Sequence, residues 1–197
     1  MRYVMMIVVG LIAGCARYNA TALSMVPPES LYNAPVQKGV VVVARALNKE
    51  ECKRYLDRDV MSKGYQPVQL YIENRSDQAY FFSTSRVTLP LASPEEVAEK
   101  VHTSTVGRVA GYGAAAIIAT PLFVLPAVID GYKSVRANEA LDSDFAAKGA
   151  KDVVIYPHSH VNMLLFVPVE GYEKTFTVTL LDEENHRPNK ITARVSS

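Results

Sequence analysis

The chain has 197 residues, with 21 basic and 20 acidic side chains and a formal charge of +1. That balance, with no block of like charges, excludes the basic excess or stripe expected of a nucleic-acid partner. Two cysteines exclude a disulfide-dense scaffold, so stability rests on packing, and the length suits one domain with an elaboration or two small ones.

The first segment reads as an address. Met1-Arg2 is a short charged start, and Tyr3 to Ile12 is an apolar run of secretory length, too short to span a bilayer. Ala13 and Gly14 then fit a processing site. Ile12, Ala13, Gly14 and Cys15, in that order, resemble the lipobox of bacterial lipoproteins. The resemblance implies that residues 1–14 are a signal peptide cleaved before Cys15, and that Cys15 is diacylated on sulfur and acylated again on its new amine. It implies a membrane partner held through that covalent lipid, in the bacterial cell envelope, with no other cofactor. Ala16 stands where an aspartate is linked to inner-membrane retention, which points to the outer membrane.

Residues 15–37 follow as the lipidated cysteine and a flexible tether. Their composition is polar and small, and Pro27, Pro28 and Pro35 interrupt any periodicity. A flexible tether of this length would hold the domain roughly 25 Å from the headgroups.

The domain is expected over residues 38–197. Lys38 to Leu47 (KGVVVVARAL) is a continuous apolar run rich in β-branched residues, the mark of a strand covered on both faces or lying in a sandwich core. Asn48 to Leu56 reads as a short helix with Asn48 as N-cap and Glu51 closing a capping box, which makes Cys52 a small apolar contact on its inner face. Gln66 to Asn74 alternates, with Val68, Leu70 and Ile72 on a buried face and Gln69, Tyr71 and Glu73 on the other. Turn chemistry at Asn74-Arg75-Ser76-Asp77 and a returning strand over Ala79 to Leu89 predict a hairpin.

Ser93-Pro94-Glu95-Glu96 starts a helix, because Ser93 can cap, Pro94 suits the first helical position and Glu96 completes a box. Val97, Val101 and Thr105 mark its inner stripe. The pattern runs into Val109 to Ile129, a stretch without a charge, which Pro121 and Pro126 interrupt. A second helix is predicted from Pro126 to Ala147, with Val135, Leu141 and Phe145 as its apolar face. Residues 93–147 thus read as an apolar helical hairpin bent near Thr120-Pro121. Strand patterns resume over Lys151–Tyr156, Val161–Val167, Lys174–Asp182 and Asn189–Val195. Seven strands around a helical insert predict an α+β chain, mainly an antiparallel β-sandwich of immunoglobulin-like type. The segments GYQPVQLYIENRSDQ and DGYKSVRANEALDSDF together resemble uncharacterised bacterial envelope lipoproteins, a resemblance that brings no activity.

Catalytic marks are sparse. His158-Ser159-His160 has the spacing that puts two ligands on one face of a strand, which is half a metal site; a metal-dependent enzyme or envelope hydrolase built on His158 and His160 is the rival reading. Gly111-Tyr112-Gly113-Ala114-Ala115-Ala116 has the glycine spacing of a dinucleotide loop but lacks the preceding strand. No Gly-x-Ser-x-Gly, His-Glu-x-x-His or phosphate-loop lysine occurs. Gly107, Gly111, Ala115 and Ala119 form a small-residue stripe at four-residue spacing, suited to close helix contact. Three readings of the insert stand side by side. The stripe receives the second helix; or the bend at Leu122, Phe123, Val124 and Leu125 touches the bilayer or an envelope protein partner; or Val109 to Ile129 spans. Spanning would carry the later strands across the membrane from the first three. The function expected is non-catalytic, a binding or scaffolding role in the envelope.

Overall fold

A computed structural model describes residues 18–32, 34–102 and 124–196. The chain divides into two units: Ala20–Val101 with Asp144–Ser197, and Met1–Asn19 with His102–Ser143. All the strands belong to the first.

The strands are β1 (Val36–Gln37), β2 (Val40–Ala46), β3 (Tyr65–Asn74), β4 (Tyr80–Phe82), β5 (Val153–Ile155), β6 (Ser159–Pro168), β7 (Thr175–Asp182) and β8 (Pro188–Ser196). They join in one path, β5-β4-β7-β8-β2-β3-β6, with β1 beside β2. Pairing is antiparallel except between β2 and β8, which run parallel at Ala44↔Val195 and Arg45↔Ser196. The path ends on β5 and β6, which are consecutive in the chain, so the sheet curls nearly into a barrel. The expected β-dominated α+β class is observed. The strands form a single connected sheet, where an immunoglobulin-like sandwich was predicted.

Alternation builds the interior. Val42, Leu70, Leu165, Val178 and Ile191 come from five strands and meet in one buried cluster with Tyr80 and Phe82. Each such side chain stabilises the fold by about 1.5–3 kcal/mol relative to leaving it exposed. The predicted β3–β4 hairpin is absent: β3 has both edges taken, by β2 and β6, and β4 pairs instead with β5 and β7. The turn chemistry after Asn74 therefore carries the chain, through largely exposed residues, from β3 to a separate place in the sheet between β5 and β7.

The four α-helices among the described residues are α1 (Pro28–Tyr32), α2 (Lys49–Leu56), α3 (Pro94–Val101) and α4 (Val124–Lys148). In α2 both halves of the capping box form, Glu51 N–H to Asn48 Oδ1 at 2.9 Å and Asn48 N–H to Glu51 Oε2 at 3.0 Å. Ser93 Oγ accepts from Glu96 N at 3.1 Å and starts α3, whose Val97 and Val101 are buried as predicted. In α4 the buried stripe is Ala137, Leu141 and Phe145, at four-residue spacing, whereas Val135 is 48% exposed. Val135 was assigned to that face wrongly, since it lies six positions from Leu141 and off the helical repeat. The predicted bend at Thr120-Pro121 lies outside the described residues.

Residues 20–37 are not a free tether. Val26 is 4% exposed and packs with Val41, Val43 and Tyr71 on the outer face of β2 and β3, with Leu31 and Ala34 beside it. The segment is a strap across the sheet. Its cover explains why Gln69 and Tyr71, expected on an open face of β3, are buried.

Candidate functional site

The strap and the last residue of α4 reach the same place, the C-terminal end of α2. Thr21 donates to the carbonyl of Arg54 from its backbone N–H at 2.9 Å and from its hydroxyl at 3.1 Å. Ser24 Oγ and Tyr55 Oη share a hydrogen bond of 2.8 Å. From the other side Lys148, the last residue of α4, donates to the carbonyl of Tyr55 at 2.7 Å while holding Asp144 at 2.6 Å. Carbonyls at a helix C-terminus lack intrahelical donors, so these bonds satisfy groups that would otherwise need water. A cation there also suits the helix dipole.

The insert leaves and re-enters on the free edge of β6. Ala92 N donates to Phe166 O at 2.9 Å and Ala150 N to Leu164 O at 2.8 Å. The two ends are pressed together: a Cβ on Gly149 would stand 2.2 Å from Pro94 Cγ, so only glycine fits beside the start of α3. Phe145 then stacks on Phe166, centroids 5.5 Å apart and rings within 4° of parallel.

Beneath the strap lies a polar row. Arg45 on β2 binds Glu51 of α2 and donates to Gln69 Oε1 on β3 at 2.8 Å. Gln69 donates to Asn162 Oδ1 on β6 at 2.8 Å and to the strap carbonyl of Ser24 at 2.7 Å; Asn162 reaches the same carbonyl at 3.1 Å. Burial raises the Glu51 pKa, but the Asn48 N–H and the Arg45 guanidinium outweigh it, and the net direction is down. A row of this kind fixes the strap's register, because a buried amide left without its partner costs about 1–3 kcal/mol.

A third cluster ties α3 to β3. Tyr65 donates to Glu96 Oε1 at 2.6 Å, and Lys100 contacts both Tyr65 Oη and, at 3.1 Å, Glu96. Hydrogen bonding with Tyr65 and then Lys100 lowers the Glu96 pKa, and the same contacts raise that of Lys100. The ammonium lies 4.8 Å from the Tyr65 ring centre, a cation–π geometry.

Of the residues predicted from sequence, Ile12, Ala13, Gly14 and Cys15 lie outside the described residues, as do Gly107, Gly111, Ala115, Ala119, Leu122 and Phe123. Val124 and Leu125 open α4. Cys52 is buried on the inner face of α2, and burial pushes its pKa to about 11, an unreactive thiol. His158 and His160 do not share a strand face. His158 sits in the β5–β6 turn with φ 54° and bonds Asp77 at 2.9 Å, while His160, on β6, stacks on Tyr71 at 5.3 Å. The two-residue spacing aligns ligands only where both residues are in the strand, so the half-site is corrected. No group of three or more His, Cys, Asp or Glu among the described residues is arranged for a metal. No described helix is long and apolar enough to cross a membrane.

Sequence reasoning missed the strap and its polar row. One signal was present: Val41 and Val43 are as apolar as Val40 and Val42, which requires cover on the outer face as well. No protein family, curated protein or solved structure matches the chain.

Proposed function

We propose that this chain is a lipid-anchored protein of the bacterial envelope, whose sheet domain is held against the outer membrane to bind or scaffold another component without catalysis. The observation that carries the reading is the convergence at α2: Thr21 on the Arg54 carbonyl and Lys148 on the Tyr55 carbonyl. Thr21, near the start of the strap, and Lys148, at the end of α4, thus reach α2 side by side. From Cys15 to Thr21 is 21 − 15 = 6 residues. Fully extended, that is about 20 Å, so a lipid on Cys15 would hold the α2 end of the domain close to the headgroups. Two or more acyl chains give stable attachment where one gives only marginal binding. The uncharged run with Leu122, Phe123, Val124 and Leu125 belongs to the same proposal as a second contact, with the bilayer or an envelope partner. An immunoglobulin-like sandwich arrangement of the strands has antiparallel pairing along most of the path in its favour, and the continuous β8–β2 link against it.

Metabolic labelling with an alkyne fatty acid, followed by fractionation, tests the anchor. The parent chain is expected to be labelled and to pellet with membranes, and Cys15→Ser to be unlabelled. A Cys15→Ser protein processed and located like the parent would overturn the reading. A chain starting at Ala16 that stays with membranes after a high-salt wash would assign the second contact to the Leu122–Phe123 region, since salt screens electrostatic adhesion.

A further inference from the structure

At the end of the sheet away from α2, three connections meet around a polar cavity of about 170 Å³. Lys38 comes from the β1–β2 turn, Gln78 from the β3–β4 connection with Tyr80 at the start of β4, and Asn185 and Arg187 from the β7–β8 turn with Asp182 at the end of β7. We propose that this cavity binds a small monocarboxylate that carries a hydrogen-bond donor beside its carboxylate, as an α-hydroxy or α-amino acid does.

Charge decides the sign of the ligand. Two cations and one carboxylate line the cavity, and among the described residues neither Lys38 nor Arg187 is in ion-pair contact with an acid. The lining therefore carries one uncompensated positive charge, which suits a single carboxylate, whether of an anion or of a zwitterion whose ammonium meets the acid, and leaves a dianion such as phosphate half matched. The single acid is firmly set. Asp182 is 6% exposed, and its Oδ1 accepts from the backbone N–H groups of Glu184 at 2.9 Å and Asn185 at 3.1 Å. Those bonds, with the Lys38 charge behind them, lower its pKa, so it stays an acceptor at neutral pH. The ligand's own donor belongs there.

Tyr80 supplies the floor. The residue is 2% exposed, and its hydroxyl donates to the Lys38 carbonyl at a long 3.5 Å and hydrogen-bonds the Ser76 side chain. Burial, and then the charge of Asp182, raise its pKa against the Ser76 contact, which keeps it neutral. It therefore lines the cavity as a neutral polar group. Two of the connections also hold non-glycine residues in the left-handed region, Lys38 at φ 49° and His186 at φ 55°. Such conformations persist only where the surroundings enforce them, and here they set Lys38 and the neighbour of Arg187 at the rim.

Size sets the class. Water occupies about 30 Å³ in the liquid, so the cavity has room for about five or six waters, well below the 300–1,000 Å³ of sites for drug-sized ligands. A three-carbon acid fits and a nucleotide does not. The inference does not depend on membrane anchoring.

The test is a titration of the full chain in detergent, followed by amide NMR, with lactate, alanine, propionate and inorganic phosphate as probes. Lactate or alanine is expected to shift Lys38, Tyr80, Asn185 and Arg187 saturably in the millimolar range, with propionate, which lacks the donor, about tenfold weaker. Arg187→Gln and Lys38→Gln, both at exposed positions, should each weaken binding about tenfold while leaving the amide spectrum of the β-strands unchanged. Three results would each overturn the assignment: no saturable shift with either acid, shifts indifferent to both substitutions, or phosphate binding more tightly than lactate and alanine.

Discussion

At the α2 end of the sheet the closing contacts are mostly apolar and spread over several elements: Phe145 on Phe166, with Leu47, Leu56 and Val97 fully buried nearby. At the turn end the buried closing groups are Asn74, Tyr80, Asp182 and Asn189, and each is held by a few bonds of fixed direction. Apolar closure is additive and tolerant of small displacement, whereas polar closure fails when one atom loses its partner. Asn189 shows how near that limit the turn end lies, since its Oδ1 is buried with no hydrogen-bond partner among the described residues.

The largest expected effect tests the apolar end. Phe145→Ala removes one ring of the stacked pair and should cost about 3–5 kcal/mol, read as a fall in the urea midpoint. A loss below about 1 kcal/mol would mean that α4 does not help close the sheet. Next comes Asn74→Ala. Its amide group donates to Gln78 O at 2.7 Å, Tyr156 O at 3.0 Å and Ile155 O at 3.2 Å, bridging the β3–β4 connection and the end of β5 with the turn after it. The loss should be about 1–3 kcal/mol, and Asn74→Asp should not rescue it because an ionised carboxylate cannot donate. If Asp restored full stability, the donor role given to Asn74 would be wrong. Asn48→Ala at the α2 cap should cost about 1 kcal/mol, with Asn48→Ser close to the parent.

The smallest effects are those of pH, and in alkali they separate the two ends. The Asp182 carboxyl has its pKa lowered by the Asn185 N–H and its neighbours, so its contribution is present above the unfolded value of 3.8 and is lost as pH falls through the lower folded value. Acid should therefore speed amide exchange in residues 183–187, and also at the start of α2, where the Glu51 carboxyl is likewise lowered. Cys52 behaves oppositely. Its pKa rises from 9.0 to about 11 through burial, so its contribution is complete below 9.0 and is lost as pH climbs through that window. Alkali should loosen α2 first, and Cys52→Ala should flatten that decline in a thermal melt series. Alkali loosening residues 183–187 before α2 would break the assignment of the two ends.

The alternating strands, the α2 capping box and the Ser93 cap of α3 were legible because they are local: period-2 patterns and a polar residue three positions before its glutamate; the second box is only half made, since the Glu96 carboxylate turns to Tyr65 and Lys100 instead. Pairing was not. Gln66–Asn74 followed by Ala79–Leu89 has the local form of a hairpin, and only the competition of β2 and β6 for the edges of β3 prevents it. The strap escaped for a related reason. Val26, Leu31 and Ala34 are isolated among prolines and small polar residues, so nothing in their spacing distinguishes docking from a linker; the demand for them is written elsewhere, in Val41 and Val43. His158 lies in the turn between β5 and β6, and its positive φ keeps it out of the strand that a shared metal face with His160 would need.

The parallel contact of β2 with β8 has a consequence for how the chain is made. Ser196 reaches the Ala44 carbonyl across 152 residues of sequence, and Val195 pairs with Ala44 itself. At 5–20 residues per second, β2 emerges roughly 8–30 s before its β8 partner. A β-hairpin forms in about 1–10 μs, so that interval is very long on the scale of strand pairing. Until β8 is made, Ala44 and Arg45 are therefore the place where a holding factor would protect the chain, and where pairing with the wrong strand would begin.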